Sequence, residues 1–201
     1  MTPIEHKIKL IYHTKMSKSI KQSKAVLVIA LMYNELEIYN NTINELINNF
    51  GNTRIIGEEY LFSHSHYYTD EMGEDLKKRF IVFENMIERD YIVEVKKTTD
   101  EIEKKYLDSS NNRKINIDPA ILTLENFVLV TNKNFTHRIY LRKGVFADLT
   151  LIYKKKKGYT ELPWTYADYS STETKNFFKK IRELFYNKLI ESSPFGSNWN
   201  N

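Results

Sequence analysis

A continuous apolar run near the start of the chain, Ala25–Tyr33, is the feature that most constrains the fold. The run is far shorter than the roughly 20 residues that span a bilayer. It follows a polar stretch and lacks the small-residue cleavage site of a secretory signal. An unbroken apolar pattern of this length is typical of a strand that is buried on both faces of a sheet. We therefore predict a core strand here.

The segments after this strand alternate between helical and extended patterns, in the order β-α-β-β-α-β that is typical of ferredoxin-like domains. Asn34 and Glu37 form a capping-box pattern before the first helix, and Gly51 suits its end. We predict a short strand at Lys114–Asp118 that Pro119 ends, because proline cannot donate to a strand ladder. The other predicted elements of this half are strands at Thr53–Phe62 and Lys77–Met86 and a helix at Arg89–Leu107.

The second half of the chain is predicted to form hairpins and a last helix. Lys143 and Gly144 make a turn between two extended segments, and Ser170 with Glu173 forms a capping box. The fold class is therefore α+β, a ferredoxin-like βαββαβ core extended by an antiparallel hairpin sheet and a C-terminal helix. The predicted elements of this half are a short helix at Thr123–Val130 and strands at His137–Arg142, Val145–Tyr153 and Tyr159–Leu162.

Charge is unevenly distributed along the chain. Residues 1–24 contain six lysines and one glutamate, a net charge of +5, so the remaining chain carries −1 of the total of +4. We predict a basic flexible N-terminal arm at residues 1–23, a single domain at 24–191 and a frayed tail at 192–201. The nearly neutral domain body gives no strong nucleic-acid signal.

Several classes of site are excluded by composition. The chain has no cysteine, which rules out disulfides, thiolate catalysis and cysteine-ligated zinc, and suits the reducing cytoplasm. The glycine-rich phosphate loop, the dinucleotide fingerprint and the nucleophile elbow are all missing. We expect a soluble cytoplasmic protein that does not cross a membrane, and no motif names a cofactor or an oligomeric state.

His64 and His66 lie two residues apart in a polar, aromatic segment. In an extended chain, residues i and i+2 point the same way, so the two imidazoles could share a metal ion. Glu71, Asp118 or His137 could complete the ligand set. The alternative is that both histidines are simply solvated.

Tyr67, Tyr68 and Glu71 follow in the same segment. Their hydroxyl and carboxyl groups could orient a polar ligand or transfer protons. Equally, adjacent tyrosines commonly pin a loop to the core while their hydroxyls reach water. Asp118, before Pro119, could be a functional carboxylate at a strand end or a turn cap.

Two further clusters lie in the second half. Asp148 interrupts an apolar strand that is predicted to face His137 and Arg138, so its carboxylate could orient the imidazole or pair with the guanidinium. A cross-strand ion pair without a catalytic role is the alternative. Trp164 and Tyr166 could form a stacking wall for a base or sugar, or could cover an exposed sheet edge.

Several motifs in their order along the chain resemble a bacterial and archaeal family catalogued as domain-of-unknown-function family 4416. The resemblance covers about residues 24–187 and implies a stand-alone cytoplasmic protein, but assigns no activity. His66 stands where the family usually has Asp, and Asp148 where it usually has Glu. The matching motifs are His66–Gly73, Leu76–Phe80, Ile115–Pro119, Leu122–Leu124, Thr136–Leu141, Ala147–Tyr153 and Leu162–Tyr169.

We expect a protein that binds a small anionic or nucleotide-like ligand in a polar-aromatic pocket, with Arg138 pairing the anion. One alternative is a metal-assisted hydrolase or transferase with His137 or Asp118 as the base. Another is an interaction module that uses the basic arm on an anionic surface. The pocket requires distant stretches of the chain to meet. Its predicted residues are Tyr67, Tyr68, Glu71, Asp118, His137, Arg138, Asp148, Trp164 and Tyr166, with His64 and His66 as possible metal ligands.

Overall fold

The structure, a computed structural model, describes residues 23–62 and 68–192. Within these ranges the chain forms a nine-stranded sheet in which every pair of neighbouring strands is antiparallel. Most of the predicted arm (1–22) and of the predicted tail (193–201) lies outside the described residues. The strands are β1 (Ala25–Tyr33), β2 (Thr53–Ile56), β3 (Tyr60–Leu61), β4 (Lys77–Ile87), β5 (Ile115–Leu122), β6 (Asn126–Thr131), β7 (Arg138–Arg142), β8 (Val145–Lys154) and β9 (Gly158–Glu161).

The strands run in the spatial order β2-β4-β1-β5-β6-β8-β7, with β3 also paired to β4 and β9 to β8. The α+β class predicted from the sequence is confirmed. No helix in the described ranges is long and apolar enough to cross a membrane. The helices are α1 (Leu36–Phe50), α2 (Thr69–Met72), α3 (Ile92–Lys104), α4 (Ala167–Ser170), α5 (Thr172–Leu184) and α6 (Tyr186–Ser192), and a 3-10 turn at Arg89–Tyr91 precedes α3.

The central strand β1 is buried along its whole length, as the apolar run predicts. Leu27 and Ile29 pack into a core that includes side chains of α1 and α3. Val28 and Ala30 point to the other face, where they pack with Phe178 of α5. Fully burying an aliphatic or aromatic side chain contributes about 1.5–3 kcal/mol to the free energy of unfolding, so β1 anchors both layers of helices.

The strand β5 continues through Pro119, so the predicted stop at this residue is wrong. Pro119 pairs in register with Ile29 of β1. The backbone N–H of Ile117 donates to a side chain and not to β1, and residues two apart in a strand direct their backbone groups to the same side. The nitrogen of Pro119 therefore also faces away from β1, and the proline removes no hydrogen bond from that ladder.

The segment predicted as a helix at Thr123–Val130 forms a tight turn and the strand β6 instead. The hydroxyl of Thr123 accepts hydrogen bonds from the backbone N–H groups of Glu125 and Asn126, both at 3.2 Å. A threonine side chain that bonds to nearby backbone stabilises a turn as readily as a helix start. The residues after the turn then pair with β5 and β8.

Helix caps differ from the predictions by one residue each. The side chain of Asn34 does not cap α1, because its amide donates to the carbonyl of Met72 at 2.7 Å. Ser171, not Ser170, caps α5, and its hydroxyl accepts from the N–H of Thr174 at 3.1 Å. The predicted turn at residues 143–144 is confirmed, since both residues have positive φ angles of 54° and 76°.

Candidate functional site

The strands β5 and β6 pair over only three residues of each, and then separate. Their register ends at Ala120 and Leu129, so the next pair would be Pro119 and Val130. Proline has no N–H to donate across this position. Beyond it a cleft of about 410 Å³ opens, lined by residues of both strands and of α3.

Side chains of α3 take the place of a partner strand beside β5. A carboxylate oxygen of Glu103 accepts from the backbone N–H of Ile117 at 2.5 Å. The ammonium of Lys96 donates to the carbonyl of the same residue at 3.4 Å and forms an ion pair with Asp100 at 2.9 Å. On this side of β5, the backbone N–H and carbonyl of Ile117 thus form hydrogen bonds with side chains of a helix and not with a strand. The same helix places charged groups in the cleft.

Burial governs the protonation of this group of charges. Removal from water raises the pKa of Glu103 to about 7, against the opposing attraction of Lys96. Burial lowers the pKa of Lys96, but the carboxylates of Glu103, Asp118 and Asp100 outweigh it, so this pKa lies above its usual value. The Lys96 ammonium is therefore a permanent positive charge, whereas Glu103 titrates near neutral pH.

A chain of hydrogen bonds runs from α2 to the cleft. The guanidinium of Arg113 donates to both carboxylate oxygens of Glu71, at 2.6 and 2.7 Å, which lowers the pKa of that carboxyl group. Arg113 Nη1 also donates to the amide oxygen of Asn116 at 2.6 Å. The amide nitrogen of Asn116 in turn donates to Asp118 at 2.6 Å. Four side chains are thus held in fixed orientations.

A second arginine enters the cleft from the β7–β8 hairpin, where Arg138 and Asp148 are partners in register. Arg138 Nε donates to Asp148 at 2.9 Å, and Nη2 donates to the hydroxyl of Tyr166 at 2.6 Å. Nη1 donates to the carbonyl of Lys133 at 2.9 Å. Asp148 is only 2% exposed, so the buried carboxylate holds the guanidinium in a fixed position.

His137 and Trp164 lie behind this arginine and do not line the cleft. The imidazole Nε2 of His137 is 3.1 Å from Asp148, and its ring stacks on Trp164 with centroids 5.0 Å apart. The indole N–H of Trp164 donates to the carbonyl of Leu149 at 2.8 Å. His137 therefore supports Asp148 directly and Trp164 supports it through His137, and neither ring is among the residues that line the cleft.

A buried ion pair closes another part of the cleft. Lys78 and Asp168 are 5% and 3% exposed, and their charged atoms are 2.5 Å apart. The Lys78 ammonium also lies 4.5 Å from the ring centroid of Tyr169 and 5.2 Å from that of Phe62. Favourable contact with ring faces partly offsets the cost of removing this cation from water.

The structure brings most of the predicted residues together. Tyr68, Asp118, Arg138, Asp148 and Tyr166 line the cleft. Glu71 and His137 contact lining residues, and Trp164 contacts His137. Within the described ranges, no group of three or more His, Asp and Glu side chains is placed to hold a metal ion. The remaining predicted residues, His64, His66 and Tyr67, lie outside the described residues.

Several lining residues were missed from the sequence. On α3, Lys96, Asp100 and Glu103 follow the spacing i, i+4, i+7, which places three charges on one helical face beside the apolar stripe. Lys78 occupies a strand position on the same side as Phe80, but it is one of three successive cations at the start of β4, so nothing in the sequence distinguishes it. The charged face of α3 was a detectable signal. The position of Arg113 was not, because its partner Glu71 is 42 residues away.

The comparisons with known proteins identify a family for the chain. No match was found among curated proteins or among solved structures. A family model described as Domain of unknown function (DUF4416) matches residues 23–185, which include every strand of the sheet and the lining residues of the cleft. The chain therefore belongs to this family, as the order of its motifs indicated.

Proposed function

We propose that the cleft binds a small ligand that carries an anionic group, such as a phosphate or a carboxylate. The observation that carries this proposal is the pair of arginines, Arg113 and Arg138, that line the same cleft. Each guanidinium uses three of its five N–H groups in side-chain and carbonyl contacts. Among the contacts within residues 23–62 and 68–192, two N–H groups of each arginine are left to bind an anion.

The arginines are held in place before any ligand arrives. Glu71 holds Arg113 through two parallel hydrogen bonds, and Asp148 with Tyr166 holds Arg138. A guanidinium with a fixed plane loses little conformational freedom on binding, which favours affinity. Burial raises the pKa of Tyr166, so its hydroxyl stays protonated and can donate to an anion while it accepts from Arg138.

The shape of the cleft supports a small organic ligand. A volume of about 410 Å³ falls in the range of small-molecule sites, roughly 300–1,000 Å³. The rings of Tyr68 and Tyr166 line it, so an organic ligand with a flat portion could pack against them. In this proposal His137 and Trp164 are positioning residues, which act on Arg138 through Asp148.

We also propose that the first half of the chain is a ferredoxin-like βαββαβ unit. In support, the strands β2, β4, β1 and β5 are adjacent in this order and antiparallel, and α1 and α3 contribute to the same core cluster.

The absence of cysteine supports a cytoplasmic location for the binding function.

Isothermal titration calorimetry of the full chain with ethyl phosphate and with propionate tests the binding proposal. We expect saturable binding of at least one of these anions. Arg138→Lys should weaken it about tenfold or more, because lysine keeps the charge but loses the planar fork. Arg142→Lys is the matched control, since Arg142 lies on the same strand, pairs with Glu94 and does not line the cleft. Absence of binding by the unaltered protein would contradict the proposal.

A further inference from the structure

Most of the cationic side chains that line the cleft form ion pairs with carboxylates of the protein. Each of four positive side chains has an acidic partner within 2.9 Å. Five lysines and arginines and five aspartates and glutamates line the cleft, so the site is close to electrically neutral before a ligand binds and is not a simple basic pocket for a highly charged anion. The four pairs are Lys78 with Asp168, Lys96 with Asp100, Arg113 with Glu71, and Arg138 with Asp148.

Two lining carboxylates are not part of these four pairs. Glu103 accepts the backbone N–H of Ile117, which leaves Asp118. Within residues 23–62 and 68–192 it forms no ion pair, and the hydrogen bond it accepts comes from Asn116 to Oδ2. The orientation of that amide is set by Arg113, whose N–H occupies the amide oxygen and so turns the NH₂ group toward Asp118. The second oxygen, Oδ1, accepts no hydrogen bond from the described part of the chain.

A carboxylate oxygen in a cleft accepts its strongest hydrogen bonds from a cation. Lys96 is the nearby ammonium on α3, but it is already bonded to Asp100 and to the carbonyl of Ile117. A positively charged group on the ligand would donate a charge-assisted hydrogen bond to Oδ1 of Asp118. It would lie close to the anionic group, because a single side-chain amide, that of Asn116, separates Asp118 from Arg113.

We propose that the ligand is a small zwitterion, an amino acid or an aminoalkyl phosphate. Its anionic group binds the free N–H groups of Arg113 and Arg138, and its ammonium binds Oδ1 of Asp118. This inference rests on the proposed function, since it names the chemical class of the ligand in the same cleft. It adds that a charged amine is recognised as well as an anion.

Matched pairs of probes that differ only in the amine test this inference. Ethyl phosphate is compared with 2-aminoethyl phosphate, and propionate with 3-aminopropionate, by calorimetry on the full chain. We expect the amine-bearing member of at least one pair to bind tenfold or more tightly, which corresponds to about 1.4 kcal/mol. The pair that shows the difference tells whether the anion is a phosphate or a carboxylate.

The variant Asp118→Asn should reduce this preference to about twofold or less, because a neutral amide no longer attracts the ammonium. Glu94→Gln, an acid outside the cleft that pairs with Arg142 and Lys143, should leave the preference intact. The comparison between probes on the unaltered protein needs no variant, so it holds even if Asp118→Asn does not fold.

The outcomes distinguish failure of the zwitterion proposal from failure of the anion-binding proposal. If both members of each pair bind equally, and Arg138→Lys weakens both, then the zwitterion proposal is overturned and the anion site stands. If none of the four probes binds, both proposals fall. A preference for the amine that persists in Asp118→Asn would also overturn the assignment of Asp118.

Discussion

Glu103 accepts a hydrogen bond from the backbone N–H of Ile117 at 2.5 Å, in the position that a neighbouring strand would otherwise fill. The contact joins the middle of the sheet to α3, and both residues are buried. It explains how β5 and β6 can separate beside the cleft without leaving the buried N–H of Ile117 unpaired.

The burial of the Glu103 carboxyl group predicts a pH dependence of stability. Burial raises the pKa of Glu103 from 4.5 to about 7, so the folded state holds this proton more tightly than the unfolded state. The stabilisation is complete below pH 4.5 and is lost as the pH rises through 7, a change of about 3 kcal/mol at most. Urea denaturation between pH 5 and 8 measures it.

Glu103→Gln should remove most of this slope, because glutamine can accept the same N–H without a charge. Glu101→Gln is the control on the same helix, since its side chain is 68% exposed and should keep the slope. Equal pH slopes in the unaltered protein and in Glu103→Gln would show that Glu103 is not the group responsible.

Lys78→Met should destabilise the protein by about 3–5 kcal/mol, because it leaves the carboxylate of Asp168 buried without its cation. The double variant Lys78→Met with Asp168→Leu should recover most of that loss, since no buried charge then remains. The free energy of unfolding from chemical denaturation checks both. A double variant as unstable as the single one would mean that the charged pair itself stabilises the fold.

Ser171→Ala should cost about 1 kcal/mol, because the N–H of Thr174 loses its cap. Its neighbour provides the control. Ser170 bonds to the carbonyl of Ala167 and does not cap α5, so Ser170→Ala should change stability by less than about 0.5 kcal/mol. Thermal denaturation of the two variants measures both losses of stability. A larger loss in Ser170→Ala than in Ser171→Ala would assign the cap to Ser170.

The sequence predicted those parts of the fold that depend on residues close together in the chain. The apolar run of β1 and the turn at Lys143 and Gly144 are examples. Burial on both faces of a strand requires apolar residues, and a positive φ favours glycine. Pro119 and Thr123 misled the prediction, since each acts through a backbone partner that the sequence does not reveal. Proline is harmless where its nitrogen faces a gap, and a threonine cap serves turns as well as helices.

Part of the candidate site was also predictable, where short-range pairing brings two residues together. Asp148 was expected to meet Arg138 because a hairpin fixes which residues face each other, and the two are in register. The contact of Arg113 with Glu71 joins segments 42 residues apart, and no short-range pattern encodes it. The charges of α3 resemble a solvated helix face until the separation of β5 and β6 turns that face toward the cleft.

The most direct test of an anion site in the cleft is a pair of NMR titrations of the full chain, one with ethyl phosphate and one with propionate, which follow the side-chain Nε–H signals of the arginines. With at least one of these anions we expect saturable shifts at Arg113 and Arg138 with a common dissociation constant, while Arg142 on the same hairpin stays unchanged. Signals of Arg113 and Arg138 that move with neither anion, or shifts of equal size at Arg142, would contradict an anion site in the cleft.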